Sequence, residues 1–323
     1  MLVNGNGDGT VQLWDVADPT HPRLLGQALT GGPNGYPVAF SPGGRTLAIG
    51  SPSGATRLWD LTDPAHPRPL GQALTASTGK ADSVAFSRDG RIVAIGSPNG
   101  TIQLWDVTDP AHAYPLGLPL TASTGTVNAV AFSRDSHTLA SGSSDGTIRL
   151  WDVTDAAHPH PIGQPLTAGG AAVNSVAFSG DGHTLASGSD DGALRLWNLP
   201  QTVFSSDAGA VNSVAFSRDG RTLASGNADG TFQLWNVTDA AHPHPGGPPL
   251  IPGSALRNPP GAAQSVTFSP NGQILAASNN SSTNGGSLRL WDVTNPAYPN
   301  PIGQALTSGD GVVFTSAAFS PDT

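Results

Sequence analysis

Short runs of β-branched and aromatic residues recur along the chain and are separated by turn dipeptides. In residues 211–237, three such runs are divided by Asp219-Gly220 and Asp229-Gly230, and Asp-Gly between hydrophobic runs is a strong β-hairpin signal. A fourth run follows the third, for example residues 161–167. Several runs, such as residues 214–216, are apolar in succession, which predicts strands buried on both faces. The pattern therefore predicts packed four-stranded antiparallel units.

These units repeat seven times. The tryptophans that close the third run are spaced by 45, 46, 46, 46, 38 and 56 residues, and they are Trp14, Trp59, Trp105, Trp151, Trp197, Trp235 and Trp291. A phenylalanine in an Ala-Phe-Ser or similar context marks the first run of each unit, at Phe40, Phe86, Phe132, Phe178, Phe216, Phe268 and Phe319. Four short strands repeated at a fixed period are typical of a β-propeller. We therefore expect an all-β, seven-bladed β-propeller with four-stranded antiparallel blades.

The repeat also predicts where the blades lie and how the ring closes. One domain is expected over residues 1–323, with repeats near residues 36–61, 81–107, 127–153, 173–199, 211–237 and 263–293. The chain starts at a second strand and stops after a first strand, so residues 312–323 and 1–30 are expected to share the closing blade. Sharing a blade removes the open sheet edges that could pair with other chains.

The residues at the end of the third strand resemble those of the WD-repeat family. Five Trp-Asp dipeptides begin at Trp14, Trp59, Trp105, Trp151 and Trp291, and Trp197-Asn198 and Trp235-Asn236 are near-matches. The phrase Trp-Asp-Val-Thr-Asp-Pro-Ala-His-Pro is similar to WD repeats of actinobacterial proteins. The Gly-His dipeptide that usually precedes the first strand is absent. The resemblance therefore implies a propeller without the Asp-His-Ser-Trp hydrogen-bond tetrad, although Ser141, Asp145 and Trp151 stand at three of its positions.

Composition and charge narrow the classes of partner. The chain has a net charge of −9, a single lysine (Lys80) and no cysteine. Nucleic-acid binders neutralise phosphates with clustered Lys and Arg, so we expect neither nucleic acid nor an anionic membrane as a partner. No signal peptide or apolar run of spanning length is visible. A cytoplasmic, monomeric propeller is the expectation.

Departures from the repeat indicate a candidate binding rim. The segment from Gly246 to Ala263 is expanded, and four extra residues fall between Asn279 and Gly286. By topology, both insertions lie on the same rim in adjacent blades, and long loops on a regular scaffold often carry function. Neutral lengthening of a tolerant loop is the alternative. The predicted binding residues are Arg257, Asn258, Asn279, Asn280 and Asn284, together with the turn aspartates Asp145, Asp191 and Asp229.

Sequence motifs that would indicate a metal site or a catalytic site are weak. Five histidines recur in Asp-Pro-Ala-His-like loops, but equivalent loops diverge around a ring, whereas a metal site needs converging ligands. Residues 4–15 resemble a calcium loop, yet they align with the hairpin turns of the other blades. No G-x-S-x-G, H-E-x-x-H or phosphate loop is present. No cofactor, metal or catalytic residue is predicted.

Two functional hypotheses remain open. The first is a protein-interaction scaffold or sensor that presents one rim to a protein or peptide partner, as the family resemblance implies. The alternative is a small-molecule-binding protein or enzyme of a biosynthetic pathway that uses the central channel or its mouth, since a fold does not determine its function.

Overall fold

The computed structural model of the chain describes residues 1–30, 37–51, 55–75, 80–197, 202–206, 208–251, 261–280, 286–307 and 313–321. These residues form seven four-stranded antiparallel sheets. They include one turn of 3-10 helix, Pro110–His112, and none of them forms a helix long and apolar enough to cross a bilayer.

Each sheet is one blade, and its strands occupy four positions from the axis outward. The first strands are β4 (Val38–Phe40), β8 (Ser83–Phe86), β12 (Val127–Phe132), β16 (Val173–Phe178), β20 (Val211–Phe216), β24 (Ala263–Phe268) and β28 (Phe314–Phe319). The second strands are β1 (Leu2–Asn6), β5 (Thr46–Ile49), β9 (Ile92–Gly96), β13 (Thr138–Ser143), β17 (Leu185–Ser189), β21 (Thr222–Asn227) and β25 (Ile274–Asn279).

The outer half of each blade completes the sheet. The third strands are β2 (Thr10–Asp15), β6 (Ala55–Asp60), β10 (Thr101–Asp106), β14 (Thr147–Asp152), β18 (Ala193–Trp197), β22 (Phe232–Asn236) and β26 (Ser287–Asp292). The fourth strands are β3 (Arg23–Thr30), β7 (Arg68–Thr75), β11 (Tyr114–Thr121), β15 (His160–Thr167), β19 (Thr202–Ser205), β23 (His244–Pro245) and β27 (Asn300–Thr307). We number the blades 1 to 6 from β4–β7 to β24–β27, and blade 7 is β28 with β1–β3.

The predicted seven-bladed fold and its closure are confirmed. In blade 7 the last strand pairs with the first, with Leu2 opposite Phe319 and Val3 opposite Ala318. The backbone N–H of Ser320 also donates to the carbonyl oxygen of Met1 at 2.8 Å. These bonds join strands from opposite ends of the chain, so the ring closes without an open edge between blades 6 and 1.

Neighbouring blades pack through their first and second strands. Each first strand contacts the first strand of the next blade around the ring, and the second strand of blade 3 is fully buried apart from its first residue. A Cβ atom on Gly142 in that strand would lie 2.6 Å from Val173 Cγ1 and 3.0 Å from Val176 Cγ1 of blade 4. Glycine is therefore required there, because it lets the next blade approach the sheet closely.

The tryptophans show how the blades manage without the tetrad. The indole N–H of Trp197 donates to Ser187 Oγ at 2.9 Å, and that of Trp235 donates to Ser225 Oγ at 3.1 Å. In blade 7 an asparagine, Asn4, takes the serine position and accepts from Trp14 at 2.6 Å. Packing holds the other described tryptophans, and the buried indole nitrogens without a partner are those of Trp105, Trp151 and Trp291.

Loops divide between two faces of the ring. The connection face carries the turns between second and third strands, such as residues 144–146, and the segments that join one blade to the next. The histidine face carries the turns between first and second strands, such as residues 218–220, and the loops between third and fourth strands, such as residues 108–113.

Candidate functional site

The predicted binding residues that the structure describes lie in or next to the turns of the connection face. Arg257, Asn258 and Asn284 lie outside the described residues. Asn279 is buried, and its Oδ1 accepts a hydrogen bond from Ser287 Oγ at 2.6 Å. The backbone N–H of Asn280 donates to Ala262 at 3.1 Å. Asn279 is therefore engaged within its own blade, and the role of this group in binding stays a prediction.

The three predicted aspartates stabilise the turns in which they lie. Asp145 accepts from the N–H and hydroxyl of Thr147 at 3.0 and 2.6 Å, and Asp229 accepts from Thr231 in the same way at 2.9 and 2.7 Å. Asp191 forms a 2.6 Å ion pair with Arg195, a side chain that is 10% exposed. The carboxylate of Asp191 is therefore neutralised by its partner, whereas Asp229 has only turn hydrogen bonds.

A cavity of about 430 Å³ opens on the histidine face at the axis of the ring. It is lined by the seven repeat phenylalanines, which are Phe40, Phe86, Phe132, Phe178, Phe216, Phe268 and Phe319, and by the residues that follow them. Those residues include the exposed arginines Arg88, Arg134 and Arg218, and the described lining contains no carboxylate. The phenylalanines were visible in the sequence as repeat markers, but the ring closure is what gathers them at one mouth.

A second and larger cavity extends outward from this mouth between blades 5 and 6. This open groove has a volume of about 860 Å³ and shares Ser217, Arg218 and Phe268 with the central cavity. Its remaining lining comes from the first-to-second turns of both blades, residues 236–238 at the end of blade 5's third strand, the start of blade 5's fourth strand and the loop at residues 293–297. The two cavities form one continuous depression on the histidine face.

The open groove exists because side-chain volume is missing. At the corresponding interface between blades 2 and 3, which we call the filled interface, Ile92, Leu116 and Ala156 pack against the core. Blade 5 has Thr222 in place of the isoleucine and Gly246 in place of the leucine. The fourth strand also shortens, since β23 spans two residues where β11 spans eight. Threonine also occurs at the isoleucine position in blades 1, 3 and 4, so the volume missing specifically from blade 5 is the leucine side chain that Gly246 lacks.

The open groove also differs in charge from the filled interface. Asn236, Asn271 and Asn295 line the groove, and the filled interface has aspartates at the same repeat positions, namely Asp106, Asp135 and Asp155. Arg218, Arg221 and His244 supply the basic groups of the lining, and among the described lining residues Asp219 is the one carboxylate. Although burial raises the pKa of Asp219, hydrogen bonds from Ser217 and Arg221 outweigh it and hold the pKa below its usual value.

The asparagines keep the turn geometry that aspartate supplies elsewhere. Asn236 Oδ1 accepts from Thr238 N–H at 3.0 Å, Asn271 Oδ1 from Gln273 N–H at 3.0 Å, and Asn295 Oδ1 from Ala297 N–H at 3.1 Å. Aspartate forms the same bond to the residue two positions on, as Asp106 does with Thr108 at 2.8 Å. The exchange therefore removes charge from the groove and leaves the backbone conformation intact.

The recurrent histidines have local partners. In five loops an aspartate Oδ2 lies 2.7–3.0 Å from Nδ1 of the histidine three positions on. The hydrogen bond from His66 holds the pKa of Asp63 below its usual value, and His112, His158 and His242 act in the same way on Asp109, Asp155 and Asp239. Within the described part of the chain, no group of three His, Cys, Asp or Glu side chains is placed to hold a metal ion. These histidines stabilise loops.

Comparisons with known proteins agree with this architecture. A family model described as "WD domain, G-beta repeat" matches residues 69–106, 199–236 and 256–292. A second model, "Vps8 beta-propeller", matches residues 113–196. A chain in the solved structure "Crystal Structure of Mitotic Checkpoint Complex" superposes with a TM-score of 0.72 and 21% sequence identity, covering 100% of this chain and 85% of that one. No curated protein sequence matches significantly.

Proposed function

Because the chain belongs to the WD-repeat β-propellers, we propose that it is a protein-interaction scaffold that presents its connection face to a protein partner. The observation that carries the proposal is the charge of that face. Its described turns and connections hold Asp8, Asp145, Asp190 and Asp229 exposed or half-exposed, and Lys80 is the chain's single lysine. A partner with a basic surface is the complementary occupant.

Hydrogen bonds hold carboxylates of this face in place. Burial raises the pKa of Asp145, but hydrogen bonds from Thr147 and Thr124 outweigh burial and lower the pKa overall. Asp8 accepts from the N–H and hydroxyl of Thr10 at 2.9 and 2.7 Å. Lys80 is occupied by a 2.7 Å ion pair with Asp82. Fixed carboxylates on a rigid ring favour binding, because little side-chain freedom is lost when a partner docks.

The chain itself supplies a charge-neutral version of the acidic turn. In blade 2 the same position is Asn99, which accepts from the N–H and hydroxyl of Thr101 at 3.3 and 2.8 Å. Asparagine therefore preserves the turn, and Asp145→Asn with Asp229→Asn removes two charges without unfolding it. The matched control is Asp109→Asn with Asp155→Asn on the histidine face, where Asn295 shows that asparagine is tolerated.

The experiment captures partners from a lysate on the immobilised wild type and on the two double variants, with quantification by mass spectrometry. The amount of captured partner should be about tenfold lower on D145N/D229N than on the wild type, as expected for a loss of roughly 1.4 kcal/mol of binding free energy. The amount captured on D109N/D155N should equal that on the wild type. Retention should also weaken as salt increases. Equal losses on both variants, or no retention by the wild type beyond bare resin, would contradict the proposal.

The central cavity favours a second candidate function. Its volume of about 430 Å³ falls within the range of roughly 300–1,000 Å³ that small-molecule sites occupy. Aromatic rings with Arg88, Arg134 and Arg218 at the mouth suit an apolar anion. Aromatic carboxylates such as benzoate should raise the melting temperature of the wild type but not of Arg88→Ala, because ligand binding to the native state stabilises it. Equal or absent shifts in both proteins would remove this candidate.

A further inference from the structure

We propose that the open groove between blades 5 and 6 is a second docking site, which binds an extended acidic peptide segment of a partner. The site lies on the histidine face, opposite the face invoked above, so the two proposals stand or fall separately. Each position in the groove has a structural equivalent at the filled interface, and the differences can be assigned one by one.

The first difference is the loss of three negative charges at one place. Asn236 follows the tryptophan of blade 5, Asn271 lies in the first-to-second turn of blade 6, and Asn295 lies in blade 6's outer loop. These elements are distant in sequence, yet all three side chains line the same cavity. Aspartate would serve the turns equally well, as it does in the equivalent positions of blades 2 and 3. Turn geometry therefore does not account for the coincidence, whereas a shared ligand does.

The second difference is the kind of hydrogen-bonding group that faces a ligand. An ionised aspartate only accepts hydrogen bonds, whereas asparagine adds an NH₂ donor. The Oδ1 of each asparagine already accepts from its own turn. Asn271 Nδ2 also donates to Gln273 Oε1 at 3.4 Å, which leaves the amide N–H groups of Asn236 and Asn295 to donate outward. With Arg218 and Arg221, these donors form a lining that matches carboxylates, the acceptor-only side chains of Asp and Glu.

The third difference is space at the same position. Gly246 lacks the side chain that Leu116 places at the equivalent interface, although Leu250 farther along the segment stays buried in the core and pairs with Phe232. The resulting groove of about 860 Å³ runs from the arginine-rich mouth at the axis to the outer edge of the ring. Its floor includes Phe268 beside the polar groups. An extended peptide with carboxylates and an occasional apolar side chain fits this form better than a compact ligand does.

Charge complementarity is the reason for an acidic occupant. The chain as a whole has a net charge of −9, so a region lined by two arginines, four side-chain amides, a histidine and one described carboxylate stands out electrostatically. Charges more than about 10 Å from the groove are largely screened at 0.1 M salt, because that distance is the Debye length. The local balance therefore decides which ligand binds.

The probe for the test is a fluorescein-labelled ten-residue peptide of Asp and Glu with one Leu and one Phe. The control is the same peptide with every Asp replaced by Asn and every Glu replaced by Gln. Anisotropy titrations of the full chain should show the acidic peptide binding at least about tenfold more tightly than its amide analogue. The difference should shrink at high salt. Equal binding of the two peptides, or no binding of either, would overturn the proposal.

The matched variants separate local charge from total charge. Asn236→Asp with Asn271→Asp and Asn295→Asp restores the charges of the filled interface and should weaken binding of the acidic peptide by about tenfold or more. The mirror variant, Asp106→Asn with Asp135→Asn and Asp155→Asn, should leave the Kd within about twofold. Both sets use residues that these turns already accept, so both proteins should fold with unchanged circular dichroism.

Further comparisons identify the site and the class of ligand. Arg221→Ala should weaken binding, whereas Arg91→Ala, its equivalent in blade 2, should not. D145N/D229N should bind the peptide as the wild type does, which keeps this result independent of the connection face. Changes in Kd of equal size and opposite sign in the two triple variants would show that only net charge matters. Stronger competition by a thymidine decamer than by unlabelled peptide would assign the groove to nucleic acid, and either result would overturn the proposal.

Discussion

The interface between blades 2 and 3 and the interface between blades 5 and 6 are built from the same repeat but differ in how their side chains pack. At the filled interface, Ser136 bridges the blades, and its Oγ accepts from the backbone N–H groups of Arg88 and Asp89 at 2.9 and 3.3 Å. Gly272 occupies that position at the open groove and has no hydroxyl to offer Arg218. The comparison shows that a repeat can keep its turns while changing how tightly adjacent blades are joined.

The same contrast extends to the outer loops. A Cβ atom on Gly117 of blade 2 would lie 2.5 Å from the carbonyl oxygen of Ala157 in the next blade, whereas one on Gly163 of blade 3 would meet no described atom within 4 Å. The sequence after Trp197, in the next blade, is contracted: 19 residues separate Trp197 from Phe216, whereas 27 separate Trp151 from Phe178. The space around a fourth-strand glycine therefore indicates whether an outer loop of the next blade packs against it.

The largest effect is expected for substitutions that test this contact between a fourth-strand glycine and the outer loop of the next blade. Gly117→Ala and Gly163→Ala impose the same positive-φ strain, at φ +58° and +65°, but only the first also collides with a neighbouring carbonyl. We expect Gly117→Ala to lower the free energy of unfolding by about 3 kcal/mol and Gly163→Ala by about 1 kcal/mol. Urea denaturation measures both. Equal losses would show that the loop contact contributes nothing.

A smaller effect is expected at the bridging turn. Ser136→Ala removes the acceptor for two backbone N–H groups and keeps the strain of φ 63°, so the free energy of unfolding should fall by about 1–2 kcal/mol. Ser136→Gly should cost less, because glycine adopts this conformation freely. Gly272→Ser should stay within about 1 kcal/mol of the wild type, since strain and the new hydrogen bond oppose each other. Chemical denaturation that ranked Ser136→Gly below Ser136→Ala in stability would contradict this account of the bridge.

The smallest effect is expected on the stability of the protein at acidic pH. Hydrogen bonds from Ser133 to Asp135 and from His158 to Asp155 lower the pKa of each carboxyl, and at Asp106 hydrogen bonds from Thr108 and Tyr114 outweigh the opposing effect of burial. Carboxyls with a lowered folded-state pKa stabilise the protein above about pH 4 and lose that contribution as the pH falls through the folded-state value.

The two triple variants should therefore change acid sensitivity in opposite directions. D106N/D135N/D155N should show a smaller fall in the urea midpoint between pH 5 and pH 3 than the wild type, and N236D/N271D/N295D should show a larger one. Parallel curves for all three proteins would mean that these turn carboxylates contribute no pH-dependent stability.

In the sequence, much of the candidate site was visible only as isolated residues that differ from the repeat pattern. Trp235-Asn236 interrupts the run of Trp-Asp dipeptides, and Gly246-Gly247 interrupts the pattern of the fourth strand. Alignment of the repeats shows each substitution, but no repeat alone shows that Asn236, Asn271 and Asn295 share a cavity. The groove is formed by two blades, and its side chains come from turns and loops that meet only when the blades pack.

The sequence by itself determined the number of blades, the order of strands and the closing blade, because hairpin turns and strand patterns depend on residues close together in the chain. The tertiary structure decided where blades meet tightly and where they leave a groove, because that depends on side-chain volume and charge across an interface. Leu116 and Gly246 occupy the same repeat position, yet one fills an interface and the other opens a site.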